Sequence, residues 1–143
     1  MKLYVTAAIV SLIGLADAIY LTVEHVTGQS VRCTIVAGCS EVLSSQYAVV
    51  AGVPLAAVGA AAYFCVFSLA TLAAFGYRFA GLMLTVLVLL MFVFSLWLIY
   101  LQAFVIHAFC QFCLLSAAVT TALTVLALLA RRGARLSQTA GSV

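Results

Sequence analysis

AGLMLTVLVLLMFVFSLWLIYLQ, residues 80–102, carries no charged side chain from end to end. A helix crossing a hydrocarbon layer of about 30 Å needs roughly 20 apolar residues, so this run is long enough to span a bilayer. Working outward from it, three further runs of the same kind lie near 3–25, 54–75 and 109–130. Composition agrees: of 143 residues 68% are hydrophobic and 6% charged, with a mean hydropathy of +1.35. Such a chain cannot close around one soluble core without leaving large apolar patches in water. The runs far exceed the roughly 10 alternating residues of a barrel strand, and backbone in lipid must satisfy its hydrogen bonds internally. The sequence therefore predicts an all-α membrane protein, a four-transmembrane-helix bundle over residues 1–132 followed by a polar, disordered cytoplasmic tail over 133–143.

Orientation follows from the basic residues, because short cytoplasmic segments retain Lys and Arg. Lys2 precedes the first span, Arg78 separates the second from the third, and Arg131, Arg132 and Arg135 follow the fourth. With those segments inside, both termini are cytoplasmic, and the loop of about 26–53 and the turn near 103–108 are external. Lys2, the run from Leu3 to Leu15 and Ala16-Asp17-Ala18 have the form of a cleavable signal, but apolar sequence continues through Val23, which makes a full span.

The external loop carries the chemistry. Cys33 and Cys39 lie in it, separated by five residues with Gly38 beside the second, and Cys110-Gln-Phe-Cys113 opens the fourth span. The predicted topology brings all four to one oxidising face. Glu41 to Val50 reads as a short helix on the membrane surface, and Gly52 with Pro54 as a break leading into the second span.

Residues three apart on a helix share a face, so Cys110 and Cys113 can close a small ring or present two thiols. A helix N-terminus favours the thiolate, the species that attacks a disulfide, whereas apolar surroundings oppose it. Exchange between the two pairs requires only that one thiolate reach a sulfur of the other pair. Two inert bridges are the plainer alternative, although a disulfide within one helical turn restrains the unfolded chain very little. Metal ligation by the cysteines with His107 is the third, which would make the chain a non-enzymatic metal carrier or scaffold. The fifth cysteine, Cys65, reads as a small hydrophobe buried inside the second span.

Six segments in order complete the pattern: Gly14-Leu15-Ala16-Asp17-Ala18-Ile19-Tyr20-Leu21-Thr22, Cys33-x5-Cys39, Val42-Leu43-Ser44-Ser45, Gly52-Val53-Pro54, Tyr100-Leu101-Gln102 and Cys110-x-x-Cys113. From about Ile9 to Leu128 the chain resembles bacterial-type vitamin K epoxide reductase homologues. The DsbB family does a similar job, but there the C-x-x-C pair lies in the first external loop, the reverse of the order here.

The resemblance implies a thiol-disulfide oxidoreductase of the cytoplasmic (inner) membrane that reoxidises a thioredoxin-fold partner and passes electrons to a membrane quinone, ubiquinone or menaquinone. It implies catalytic roles for Cys33, Cys39, Cys110 and Cys113. Cys33 and Cys39 would exchange with the partner, Cys39 would attack Cys110, and Cys113 would face the quinone, with Ser45 donating to a quinone carbonyl. No metal site and no nucleic-acid partner are expected. Animal members use an Asn in the second span and a Tyr shortly after the C-x-x-C pair. This chain has no Asn, and Leu114-Leu115-Ser116-Ala117 supplies no Tyr, so vitamin K epoxide turnover is not expected. Many bacterial relatives carry a fused thioredoxin-like domain. Here only the polar tail follows the last span, so the partner is expected to be a separate DsbA-like protein outside the membrane. Asp17, an ionisable group within the first span, is expected beside the cavity or the outer mouth. Glu24 and His25 read as interfacial anchors.

Overall fold

The computed structural model describes residues 1–28, 45–46 and 49–141. Cys33, Cys39 and most of the expected surface helix lie outside the described residues. Four helices are long and apolar enough to cross a membrane. We label them α1 (Lys2–Thr27), α2 (Leu55–Ala74), α3 (Arg78–Tyr100, continued by a π-helical turn, Leu101–Ile106) and α4 (Gln111–Gly141). All four lie within a few residues of the predicted spans at their starts, because the apolar runs have sharp polar or glycine-bearing borders. The chain runs up and down through the bundle, and α1 packs on α2 and α4, α3 on α2 and α4.

Without a hydrophobic drive between helices in lipid, close approach of backbones and interhelical hydrogen bonds must hold the bundle. Ala7, Ser11, Gly14 and Ala18 supply the first, forming a buried stripe of small residues along α1. The ring of Tyr63 fills the space that Gly14 leaves open. Around them Val66, Ala70, Leu84, Val88, Leu123 and Ala127 complete the core. Thr124 supplies the second kind of contact: its hydroxyl reaches the Val88 carbonyl of α3 at 3.4 Å while bonding Thr120 of its own helix at 2.8 Å. Large apolar side chains point outward instead, among them Phe64, Phe79, Leu90 and Val93, as a lipid-facing surface requires.

Ahead of α2 the chain makes a two-residue hairpin, β1 (Val49–Val50) pairing antiparallel with β2 (Val53–Pro54). Its turn places Ala51 at φ 53° and Gly52 at φ 81°, the doubly left-handed geometry whose twist suits a tight hairpin. Val49 and Val50, expected to end the surface helix, are strand instead, since a turn at 51–52 pairs those valines with the next segment. Pro54 caps α2 from just outside it, where its missing N–H leaves no helical bond unmade.

Two further expectations need correction. Residues 133–141, expected to be disordered, continue α4 as helix. Thr139 Oγ1 bonds the Arg135 carbonyl at 3.0 Å, and with its amide oxygen turned toward α3, Gln138 accepts from the Arg78 guanidinium at 2.8 and 3.1 Å. Cys65, expected to be buried, is exposed on the outer face of α2. In a run apolar on every side, composition does not reveal which face turns inward.

Candidate functional site

The C-terminal end of α1, the N-terminal end of α2, the π-helical end of α3 and the first turns of α4 meet at one end of the bundle, and Lys2, Arg78, Arg131, Arg132 and Arg135 lie at the other. Gly28, where the chain leaves α1, and Ser45, where it is next described, also belong to the cysteine end. A cavity of about 490 Å³ opens there. Its polar wall includes Asp17, Ser45, Tyr63, Gln102, Cys113 and Ser116, and the rest is largely apolar, with Leu21, Met91 and Phe94 contributing. The structure thus brings Ser45, Cys113 and Asp17 of the sequence-derived candidates to one cavity. His25 reaches its rim, while His107 is exposed in the α3–α4 connection.

The connection is built to hold the cysteine pair. His107 turns the chain with φ 56°, and the Ala108 N–H closes the π-helical turn on the Gln102 carbonyl at 3.1 Å. Widening of the helix there directs Gln102, 2% exposed, toward the start of α4. Its side-chain oxygen accepts from the Cys110 N–H at 3.2 Å, and Gln102 lines the same cavity as Cys113. One side chain therefore ties the head of the cysteine pair to the end of α3.

Cys110 and Cys113 are unbridged and hydrogen-bonded through their thiols. Cys110 is fully buried, packed with Leu21 and Ala108, while Cys113 is half-buried and lines the cavity. The Cys110 thiol is lowered to about 7, chiefly because Cys113 donates a hydrogen bond to its sulfur; the backbone N–H groups of Cys113 and Phe112 add to this, against desolvation and the nearby Asp17. Thiolate absorbance near the far ultraviolet, followed in protein with Cys33 and Cys39 replaced by Ser, is expected to rise with a midpoint near pH 7. Cys113→Ala, which removes the largest cause, is expected to move that midpoint upward toward the ordinary thiol range. An unchanged midpoint in the variant would refute the assignment.

The sequence did not single out Tyr63, Ser116 or Thr120 as site residues. The Tyr63 hydroxyl lies 2.7 Å from Ser116 Oγ and 3.1 Å from Thr120 Oγ1, and it donates to or shares the Ser116 carbonyl at 3.1 Å. A phenol on the second span and a hydroxyl three residues after Cys113 thus line the wall where no Asn and no Tyr were available. The spacing of Gly59, Tyr63, Val66 and Ala70 on one face of α2 was the only hint of it. Among the described residues, no three His, Cys, Asp or Glu side chains converge as metal ligands.

Comparison with known proteins places a match to the family model described as Vitamin K epoxide reductase family over residues 5–128. A comparison with curated proteins finds no match.

Proposed function

The chain belongs to the vitamin K epoxide reductase family, a family of membrane redox enzymes, and from that premise we propose that it oxidises a thioredoxin-fold partner outside the cytoplasmic membrane and reduces a membrane quinone. The observation that carries this reading is the position of Cys113. Its sulfur side lines a largely apolar cavity at the end of the bundle from which the Cys33–Cys39 loop departs and to which Ser45 returns.

The cavity suits a quinone ring by size and character, since small-molecule sites of about 300–1,000 Å³ with a few placed polar groups are the norm. Cys113, Ser45 and the Tyr63–Ser116 hydroxyls are the polar groups that would hold it, against Met91 and Phe94. Bound there, a quinone supplies an acceptor for two electrons and two protons. The remaining steps belong to the chain. A partner dithiol reduces the Cys33–Cys39 disulfide, and the freed Cys39 thiolate attacks Cys110, breaking the Cys110–Cys113 bond and releasing Cys113 as thiolate. Attack of Cys33 on Cys39 then releases Cys110, and the Cys110–Cys113 bond re-forms as two electrons leave the pair.

In this reading the N- and C-termini are cytoplasmic, in keeping with Lys2, Arg78, Arg131, Arg132 and Arg135 at the far end of the bundle. The test supplies purified protein with a reduced thioredoxin-fold protein and either ubiquinone or menaquinone analogues, and follows quinol absorbance. Steady turnover is expected with wild type and none with Cys110→Ser or Cys113→Ser. Stoichiometric bound metal without quinol formation would favour a metal carrier and overturn the proposal.

A further inference from the structure

One ionisable group of the cavity has no part in the steps above. Asp17 lies two-thirds of the way along α1, is 9% exposed, and contributes to the cavity wall. It is close enough to act electrostatically on Cys110, Cys113 and Tyr63. The other titratable groups around the cavity are few. Tyr63 faces it from α2, Cys113 from α4 with Cys110 behind, His25 stands at the rim on α1 with half-buried Glu24 beside it, and α3 contributes none. An ionisable residue within a membrane span is costly, and its retention facing an internal cavity points to work done with its proton.

The geometry points to Asp17 as the group that holds a proton beside the reduced cysteine pair and gives it up when the Cys110–Cys113 disulfide closes. A carboxylate at the cavity wall and a thiolate just behind it repel each other across a low-dielectric region, so the arrangement with a single negative charge is favoured in both redox states. In the reduced state that charge is the Cys110 thiolate, with a proton on Cys113 and another on Asp17. Formation of the S–S bond breaks the Cys113 S–H bond, removes the thiolate charge and releases two electrons. One proton leaves Cys113, the second leaves Asp17, and the single negative charge passes to its carboxylate. Two electrons and two protons are what a quinone takes up. Re-reduction by the partner's dithiol returns both electrons and both protons, restoring the Asp17 carboxyl, with His25 at the rim nearest the outer water.

The inference rests on the quinone-reducing role proposed above, but it is testable without quinone. Infrared difference spectra would be recorded on the full-length, quinone-free protein as it is reduced with dithiothreitol and then oxidised with diamide. Closing the pair is expected to abolish a protonated-carboxyl carbonyl stretch, with Asp17→Asn lacking that signal and Asp17→Glu retaining it at a shifted position. With a quinone analogue added, Asp17→Asn is expected to lower kcat roughly a hundredfold with little change in KM, and to remove one ionisation from the pH profile that Asp17→Glu restores. The inference is overturned if oxidation leaves the carboxyl region unchanged in wild type, if the signal survives in Asp17→Asn, or if that variant turns over like wild type. A wild type that shows the infrared signal yet forms no quinol would defeat the quinone reading and leave the redox-linked proton in place.

Discussion

Cys113→Ala is expected to abolish quinone reduction, a loss of at least about three orders of magnitude, because it removes one of two sulfur atoms that must bond for the electrons to leave. The accompanying covalent change is more diagnostic than the loss of activity. In the variant the Cys110 thiolate attacks Cys39 of the Cys33–Cys39 disulfide, breaking that bond and releasing Cys33 as thiolate, and with no Cys113 to displace it from the cavity side the Cys39–Cys110 disulfide should accumulate. Digestion under non-reducing conditions followed by mass spectrometry would recover a peptide containing Cys39 joined to one containing Cys110. Cys110→Ala should lose activity equally but form no such link. Its fully buried position makes Cys110 the sulfur inside the protein, and Cys113, on the cavity wall, the one that faces an apolar reactant. If Cys113→Ala kept a tenth of wild-type turnover, the assignment of these roles would fail.

Gly14→Ala should destabilise the bundle more than any other single methyl addition at a glycine. A Cβ there would lie 2.5 Å from Cζ and 2.7 Å from Cδ1 of Tyr63, well inside contact distance. The ring has little freedom to retreat, since it is 2% exposed and its hydroxyl is fixed by Ser116 and Thr120. Overpacking of this kind costs about 1–3 kcal/mol, and each hydroxyl bond broken by a displaced ring adds roughly 1 kcal/mol. A clear fall in the thermal midpoint is expected in detergent, together with a reshaped cavity and weaker quinone binding. Gly59→Ala is the control, because its nearest neighbour would be the Ala18 Cβ at 3.9 Å, an ordinary contact. Tyr63→Leu combined with Gly14→Ala should recover part of the loss. A Gly14→Ala midpoint equal to that of Gly59→Ala would show that the α1–α2 contact is not close-packed at this point.

Which parts of this molecule could be read in the chain follows from the solvent it occupies. In lipid each backbone N–H must bond within its own segment, so an apolar run of about 20 residues has one available conformation, and the spans could be located closely. The tail was misjudged because Gly133, Ser137 and Thr139 weaken helix locally, while the contact between Gln138 and Arg78 that accompanies its continuation is distant in sequence. Cys65 was misjudged because runs such as α2 are apolar on all sides and carry no face signal. The C-x-x-C spacing was legible in the sequence, and the structure sets Cys110 and Cys113 together at the start of α4, whereas Cys33 and Cys39 lie outside the described residues. Gln102 and Tyr63 were not recognised as site residues, since each acts through a partner elsewhere: Gln102 through Cys110 eight positions on, Tyr63 through Ser116 on another helix.

The sequence by itself determined that the chain enters a membrane, how many times it can cross, which end of the bundle is basic, and that a C-x-x-C pair opens the fourth span. Those properties depend on local composition and on spacing within a turn or loop. Only the tertiary structure decided that Cys113 rather than Cys110 opens onto the cavity, that Gln102 holds the Cys110 N–H, and that Asp17 lies within electrostatic reach of the pair. Helix rotation and crossing decide such matters, and in lipid they are set by small-residue contacts and interhelical hydrogen bonds between segments far apart in the chain.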